Sequence, residues 1–272
     1  MCGIAGLMRL SGVDPEPVTD MLRAMRHRGP DDAGIKRLGP TGAPWAALGI
    51  RRLSIVDPSG GHQPISDPSG RYWLTFNGEI YNHRRLRQEL IADGVELRTH
   101  SDSEVLVTLV ARLGLRSALE RCCGMFSFAL ADTRERRLWL VRDRMGVKPL
   151  YWTQRTDGAV VWSSELRGLR VASPRTPSLS LDALRAYLLF EYIPEPWSIF
   201  EDHHKLEPGT WLEIDDQGLR HHRWWTPPVP EAGHDGDLGR WARSVHGALQ
   251  VAVRQRLDAD VPVAALLSGG LD

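Results

Sequence analysis

The sequence predicts a mixed α+β protein built on antiparallel sheets, and three observations support that prediction. Residues 71–76 alternate as a strand does and are rich in aromatic side chains. Residues 125–130 and 138–141 are apolar runs on either side of the charged stretch 132–135, which predicts a β-hairpin. Between such strands, apolar residues recur at helical spacing, as Val18, Met21, Leu22 and Met25 do.

Length, charge and cysteine content restrict the class of protein. The chain has 272 residues, enough for one large domain and part of another. Its formal net charge is zero, so overall charge gives no reason to expect binding to nucleic acid or to an anionic membrane. Cys2, Cys122 and Cys123 form no disulfide framework, and the sequence has neither a membrane-length apolar run nor a signal peptide. We therefore expect a cytoplasmic protein. We expect no metal site, because the histidines lack Cys, Asp or Glu partners at the spacing of metal ligands.

In the first 113 residues the patterns predict strands, helices and turns in alternation. The predicted elements are, in order, a strand at 6–10, a helix with Val18, Met21, Leu22 and Met25 on one face, a loop at 26–31, one or two strands within 45–56, and the strand at 71–76. Asn77-Gly78 follows, the dipeptide most typical of tight turns. The helix after it should bury Ile80, Leu86, Leu90 and Ile91. Ser101 and Glu104 have the spacing of a capping box, which begins a helix that extends toward residue 113.

After the hairpin, the second half contains two more strands and three segments of different character. The predicted elements are strands at 150–153 and 159–163, a helix at 181–190, a connecting tail at 191–237, a helix at 238–257 and an apolar strand at 261–267. That last strand leads into Ser268-Gly269-Gly270-Leu271-Asp272, where a glycine-rich turn could present backbone N–H groups to phosphate.

Cys2 is a candidate nucleophile because of its position directly after Met1. If the methionine is cleaved, one residue carries both a thiol and a free α-amine. A thiol titrates near about 8.5 and a terminal amine near about 7.7–8.0, so the amine can accept the thiol proton at neutral pH. A small buried residue at the start of a strand is the alternative interpretation of Cys2.

Seven short motifs occur together in a distinctive order. They are residues 1–4 (MCGI), 26–31 (RHRGPD), 52–57 (RLSIVD), 77–82 (NGEIYN), 101–102 (SD), 124–126 (GMF) and 142–151 (RDRMGVKPLY). In this order and spacing they resemble the glutamine-hydrolysing asparagine synthetases. The N-terminal half of that family is a class II glutamine amidotransferase of the N-terminal-nucleophile hydrolase type. The resemblance implies that Cys2 is the nucleophile and that the 26–31 loop packs over the site and orders the N-terminus.

The resemblance also assigns an oxyanion hole to Asn77 and Gly78. Amide hydrolysis passes through a tetrahedral oxyanion, which needs donors already aimed at it. Asn77 offers a side-chain N–H, and Gly78 offers a backbone N–H that no side chain obstructs. Taken alone, this dipeptide would be read as a hairpin turn. Beside Cys2 and Glu79, the catalytic interpretation is favoured.

Free glutamine carries a carboxylate and an ammonium, so its pocket needs a cation and an anion. Arg52 can bind the carboxylate through two hydrogen bonds, and Glu79 and Asp102 can hold the ammonium. By resemblance these are the glutamine-binding positions, and the loop that lines the same pocket comprises Leu53, Ser54, Ile55 and Val56. A surface charge for Arg52 and a helix cap for Asp102 are the structural alternatives.

The C-terminal segment resembles the start of an ATP-pyrophosphatase loop, here Leu267, Ser268, Gly269, Gly270 and Asp272. Because the rest of such a domain is absent from the sequence, we expect poor ATP binding. The glutaminase reaction itself should need no cofactor, and ATP with Mg²⁺ is expected only for the synthetase portion. We therefore predict three parts: an amidotransferase domain at 2–190, a connecting tail at 191–237 and the truncated start of the synthetase domain at 238–272.

For the first part, the resemblance implies a four-layer α/β/β/α sandwich of two antiparallel sheets. The implied activity is hydrolysis of L-glutamine to glutamate and ammonia, as the ammonia-donating half of an asparagine-synthetase-like enzyme. Three alternatives stay open: an amidotransferase for another acceptor, a non-catalytic subunit docked on a separate synthetase chain, and a hydrolase of another amide. Arg52 and Asp102 argue against the last of these, since they match a free amino acid. The chain could also form a homo-oligomer.

Overall fold

The fold is described from a computed structural model that covers residues 1–229 and 237–270. Within those residues the strands are β1 (Gly3–Met8), β2 (Asp32–Leu38), β3 (Ala46–Arg52), β4 (Ile65–Ser66), β5 (Tyr72–Ile80), β6 (Gly124–Asp132), β7 (Arg137–Arg142), β8 (Tyr151–Gln154), β9 (Val160–Ser163), β10 (His204–Lys205), β11 (Thr210–Asp215) and β12 (Gly218–Arg223). The helices are α1 (Glu16–Ala24), α2 (His83–Ala92), α3 (Asp102–Leu113), α4 (Leu115–Arg121), α5 (Leu166–Ala172), α6 (Leu181–Phe190) and α7 (Leu238–Gln255), with a short 3₁₀ helix at Arg26–Arg28.

The strands form two six-stranded antiparallel sheets. The first sheet has the order β10-β8-β9-β1-β3-β2, and the second has the order β12-β11-β7-β6-β5-β4. Strand β1 lies inside the first sheet, between β9 and β3, so the N-terminal residues are held on both sides. Strand β5 pairs with β6 along its whole length but with β4 at only two positions.

Four layers result, because each sheet buries both of its faces. Between the sheets, Ile4 and Leu48 of the first pack in one core with Ala129 and Leu140 of the second. On the outer face of the first sheet, helices α1 and α5 form a separate core. Helices α2, α3 and α4 cover the outer face of the second sheet. The predicted α/β/β/α sandwich of antiparallel sheets is confirmed.

Several predicted elements are confirmed, and a few contacts differ. The hairpin forms as β6 and β7, and helix α6 has the predicted bounds. Ile91, which we expected to be buried on α2, is exposed. Ser101 does cap α3 by accepting a hydrogen bond from the Glu104 N–H, but the Glu104 carboxylate accepts from Arg98 and Thr99 instead of completing the capping box.

The predicted turn at Asn77-Gly78 is wrong. Both residues lie inside β5, opposite Ser127 and Phe126 of β6. Glycine is required here for close approach, because a Cβ on Gly78 would lie 2.3 Å from the Met125 carbonyl oxygen. A dipeptide typical of turns is therefore held extended by its pairing with β6, a contact between residues distant in sequence.

Two C-terminal predictions also differ from the structure. Residues 191–237, expected as a connecting tail, supply β10 to the first sheet and β11 and β12 to the second. Residues 261–267, predicted as a strand, form no strand, and Leu266 and Leu267 are fully exposed. A strand needs a neighbour to satisfy its backbone groups, and the described residues provide none there. The division of the chain at residues 190 and 237 stays a prediction.

Candidate active site

The predicted catalytic and glutamine-binding side chains converge on one cavity of about 70 Å³ between the two sheets. Its lining includes Cys2, directly before β1 of the first sheet, and Asn77, Gly78 and Glu79 from β5. Asp102, at the start of α3, lies in the same wall. The predicted glutamine-binding residues Arg52, Leu53, Ile55 and Val56 line it too, whereas Ser54 is not part of the lining.

Cys2 lies directly before β1 and is half-buried. Its Sγ accepts a hydrogen bond from the Leu53 N–H at 3.4 Å and lies 3.6 Å from the Leu53 carbonyl oxygen. Burial raises the pKa of the thiol, and the Leu53 N–H acts in the opposite direction by stabilising the thiolate. Met1 also lines the cavity, next to the nucleophile.

The 26–31 loop holds the N-terminus, as predicted. The Arg28 Nε donates to the Cys2 carbonyl oxygen at 2.9 Å, and Arg28 is itself fixed by an ion pair with Glu165 at 3.0 Å. At the other end of the loop, the Asp31 carboxylate accepts from the Ser54 N–H at 2.8 Å. The loop therefore connects Cys2 to the segment that lines the cavity.

Asn77 is a donor without an acceptor. Side chains alternate along β5, so Phe76 points to the helices while Asn77 points between the sheets, toward Cys2. Its side chain is 1% exposed, and its Nδ2 has no hydrogen-bond partner among the described residues. A buried amide without a partner is uncommon and carries a desolvation cost, so this N–H is suited to bind an atom supplied by a ligand.

Gly78 supplies a second donor at the edge of β5. Both backbone groups of its partner Phe126 are bonded to Asp143, so the Gly78 N–H points away from β6. The N–H groups on either side of it on that edge are capped by side chains: Phe76 N–H by Gln63 at 2.7 Å and Ile80 N–H by Asp102 at 2.9 Å. Strand β4 pairs with β5 only at Trp73 and Leu74, which leaves the Gly78 N–H facing the cavity.

Arg52 shapes the loop that lines the cavity. Its buried guanidinium donates to the carbonyl oxygens of Val56, Asp57 and Pro58 at 2.8–3.1 Å. These contacts engage three of its five N–H donors and close residues 52–58 into a fixed loop. Asp260, which lies outside this loop, adds two hydrogen bonds. Its backbone N–H donates to the Ile55 carbonyl oxygen at 3.1 Å, and its carboxylate accepts from the Asp57 N–H at 2.8 Å.

Glu79 and Asp102 give the cavity an acidic side. Burial, with the nearby charges of Asp102 and Asp258, raises the pKa of Glu79 to about 7. Burial also raises the pKa of Asp102, although the Ile80 N–H and His83 act against that shift. The ionised forms of both carboxyl groups are destabilised in this way, so a cation bound between them would stabilise both.

Comparison with known proteins decides the family. A family model described as glutamine amidotransferase domain matches residues 1–225, most of the chain. The chain belongs to the glutamine amidotransferase domain family. A second model, described as asparagine synthase, matches residues 244–272 behind this amidotransferase domain. The recognition made from the seven motifs is confirmed.

Curated relatives in several organisms have names that include asparagine synthetase [glutamine-hydrolyzing]. The chain is 34% identical to "Asparagine synthetase [glutamine-hydrolyzing] 1" of Bacillus subtilis, over the whole of this chain and 42% of the relative. It is 33% identical to "Putative asparagine synthetase [glutamine-hydrolyzing] 2" of Methanocaldococcus jannaschii, over 55% of the relative. The chain thus spans about half the length of these relatives.

Solved structures share the fold of the amidotransferase domain. One is glutamine phosphoribosylpyrophosphate amidotransferase from B. subtilis, complexed with ADP and GMP, with a TM-score of 0.63 and 22% identity. The match covers 83% of this chain and 50% of the chain in that structure. A structure titled as the allosteric regulatory enzyme of purine biosynthesis gives a TM-score of 0.64 at 21% identity, with the same coverage. At this identity the likeness concerns the fold alone.

The predicted ATP loop does not join the site of the amidotransferase. Leu267 is exposed, and the one contact recorded within the loop is a hydrogen bond of 3.1 Å from the Gly270 N–H to the Ser268 Oγ. The strand predicted before this loop does not form, and the assignment of these residues to ATP stays a prediction. Asp272, the last residue of the predicted loop, lies outside the described residues.

Gln63 and Lys148 are among the cavity-lining residues that the sequence interpretation did not assign to the site. Gln63 has no motif to mark it, because its role in capping Phe76 depends on the folded edge of β5. Lys148 did have a signal: only Lys36, Lys148 and Lys205 are lysines in a chain whose Lys and Arg total 34. In residues 1–229 and 237–270 there is no helix able to cross a membrane and no cluster of metal-ligating side chains.

Proposed function

We propose that the chain hydrolyses L-glutamine to glutamate and ammonia, with Cys2 as the nucleophile after removal of Met1. The observation that supports this most strongly is the buried, unpartnered Asn77 amide in the same cavity as Cys2. A donor in that position has a use in a reaction that generates an oxyanion beside the thiol. Membership in the glutamine amidotransferase domain family supports the same chemistry.

In the first half of the reaction the thiol proton moves to the α-amine of Cys2. The sulfur then bonds to the side-chain carbonyl carbon of glutamine, and the carbonyl electrons move onto oxygen. Asn77 Nδ2–H and the Gly78 N–H stabilise that oxyanion. As the intermediate collapses, the C–N bond breaks and the α-ammonium gives its proton to the leaving amide nitrogen, so that ammonia departs.

In the second half a water molecule attacks the thioester left on Cys2. The α-amine takes a proton from that water, and the same two donors stabilise the second oxyanion. When the C–S bond breaks, the proton returns to sulfur. Glutamate is released and the thiol is regenerated, so the cycle needs no cofactor.

Selection of free glutamine is proposed to come from both charged ends of the substrate. Glu79 and Asp102 line the cavity and suit the α-ammonium. Arg52 lines it as well, with two N–H donors beyond the three that hold the loop, and these suit the α-carboxylate. Leu53 and the backbone of residues 54–56 complete the proposed pocket.

For the whole protein, we propose the ammonia-donating half of an ATP-dependent, asparagine-synthetase-like enzyme of the cytoplasm. The names of the curated relatives and the asparagine synthase match at residues 244–272 support this role. A free catalytic thiol suits a reducing compartment. ATP, Mg²⁺ and the ammonia acceptor belong in this proposal to the synthetase portion, and L-glutamine is the ligand proposed for this chain.

Glutamate release from glutamine, measured on a preparation whose intact mass is known, tests the proposal. Chain that has lost one methionine should release glutamate, and Cys2→Ala should abolish release. Cys123→Ala is the matched control, because Cys123 is exposed and outside the cavity lining, and it should leave release unchanged. Turnover by the Cys2→Ala variant would contradict the proposed mechanism.

A further inference from the structure

The motif at residues 142–151 has no part in the proposed reaction, yet it builds a fixed turn beside the cavity. Asp143 follows β7, and its carboxylate accepts hydrogen bonds from four backbone N–H groups at 3.0–3.1 Å. The donors are Phe126, Met145, Val147 and Lys148. One buried carboxylate therefore determines the path of the chain from 143 to 148 and joins it to β6.

Arg142 fixes the same turn from its carbonyl side. Its buried guanidinium donates to the carbonyl oxygens of Lys148 at 3.0 Å and Gly146 at 2.7 Å. Gly146 has φ +66°, and a Cβ there would lie 3.0 Å from the Arg142 guanidinium, so the turn requires glycine. Because both backbone groups of Lys148 are held, the direction in which its side chain leaves the backbone is fixed.

That side chain ends in the wall of the catalytic cavity. Lys148 is 6% exposed and lines the cavity together with Cys2 and Glu79. In the described part of the chain, its Nζ has one hydrogen-bond partner, the Met1 Sδ at 3.2 Å. A thioether is a weak acceptor, and a buried ammonium normally has stronger ones. The partner that it does have is the residue that processing would remove.

We propose that Lys148 is a positioning residue that acts through Cys2, favouring the thiolate over the thiol and the neutral α-amine over the ammonium. The inference rests on the proposed function, because it concerns the same nucleophile. A fixed positive charge stabilises an anion beside it and disfavours a second cation. Both effects increase the fraction of Cys2 in the reactive form, with sulfur as nucleophile and the amine able to accept a proton.

Charge interactions connect Lys148 with the Cys2 thiol and with the terminal amine. Burial lowers the pKa of Lys148, while Cys2, Asp143 and Glu79 raise it. The terminal amine in the structure, that of Met1, has its pKa lowered by burial and further by Arg28 and Lys148. The other charged groups that act on this amine, on the Cys2 thiol or on Lys148 are Asp31, Arg52, Asp102 and Glu79.

The test measures Cys2 ionisation directly, as the rate of alkylation by iodoacetamide between pH 6 and pH 10. Processed chain is used, and the Cys2 peptide is quantified by mass spectrometry. Every variant is made in a Glu79→Gln background, because Glu79 titrates in the same pH range. The set is Lys148→Met, Lys148→Gln, Lys148→Arg and the matched control Lys205→Met. Lys205 is also a partly buried lysine, but its Nζ donates to the Ile193 carbonyl oxygen, outside the cavity lining.

We expect both neutral variants to raise the midpoint of alkylation by about one pH unit, which slows alkylation at pH 7 roughly tenfold. Lys148→Arg should restore most of that loss, and Lys205→Met should have no effect. Two neutral variants are used so that the result does not depend on one substitution folding, which circular dichroism checks. An unchanged midpoint in a folded neutral variant overturns the inference.

The same lysine variants, made without the Glu79→Gln substitution and assayed for glutamate release, separate the two proposals. Alkylation needs no glutamine turnover. A shifted midpoint in a chain that never releases glutamate therefore contradicts the proposed function but supports the role of Lys148. Active chain with an unshifted midpoint contradicts the role of Lys148 alone. If both proposals hold, the acid limb of the kcat profile should move to higher pH in Lys148→Met.

Discussion

Asn77→Ala should separate catalysis from folding more sharply than any other change in the cavity. The Asn77 amide is buried without a partner for its Nδ2, a cost to the folded chain of about 1–3 kcal/mol. Alanine removes that cost, which stabilises the fold, but it leaves a small void, which destabilises the fold by a similar amount. We therefore expect the free energy of unfolding to change by no more than about 1 kcal/mol. Loss of one oxyanion donor should lower kcat by about 10²–10³, or about 2.7–4 kcal/mol in activation free energy.

Asn82→Ala is the matched control for that prediction. The Asn82 amide donates to the Arg121 carbonyl oxygen and accepts from the Cys123 N–H, each at 2.9 Å, and it lies outside the cavity lining. This variant should lose about 1–3 kcal/mol of stability and keep its kcat. The assays are glutamate release at saturating glutamine and urea denaturation. An Asn77→Ala variant with undiminished kcat, or one less stable than Asn82→Ala, would refute the reasoning.

Two further predictions concern glutamine affinity, measured by calorimetry in a Cys2→Ala background so that no turnover occurs. Burial and two neighbouring carboxylates raise the pKa of Glu79 to about 7, so the ionised form that suits an ammonium is lost as pH falls through that value. The Kd for glutamine should rise roughly tenfold from pH 8 to pH 6, and Glu79→Gln should flatten this pH dependence. If the pH dependence survives the substitution, another group is responsible for it. Asp260→Ala removes the bond from the Asp57 N–H and should weaken binding by about fivefold, since one hydrogen bond contributes about 1 kcal/mol. The exposed Asp216→Ala is its control, and equal Kd values in the two variants would show that Asp260 does not support the loop.

The elements that the sequence predicted well are those fixed by local patterns. Helix α6 and the β6–β7 hairpin depend on periodicity and on a short connection, both of which can be read in a window of a dozen residues. Strand β2 was missed because it is an edge strand of alternating half-buried and exposed residues, with little apolar signal. The prediction of a tail overlooked the local hairpin of β11 and β12, and β11 also pairs with β7, some 70 residues earlier in the chain. Pairing of this second kind is not described by local propensity.

For the site, motif resemblance placed the reacting groups in one cavity but could not describe their connections. Arg52 was expected to serve the substrate, and the structure shows it also binding three carbonyl oxygens of its own loop. Glu104 was expected to complete a cap, and it instead fixes residues 98 and 99. These additional bonds arise from backbone groups brought close by the fold, so neither residue type nor spacing reveals them.

The edge of β5 explains why a single backbone N–H is available for the proposed oxyanion hole. An open strand edge normally presents a row of unpaired N–H groups to water or to another chain. Here Gln63 and Asp102 satisfy the N–H groups on either side of Gly78, so a single donor remains directed at the cavity. Asp102 Oδ2 accepts from the Ile80 N–H, and the same carboxyl group lines the cavity in which the ammonium is proposed to bind. The residue that recognises the substrate would then also hold the donor strand in place, which links glutamine selection to catalysis through one carboxylate.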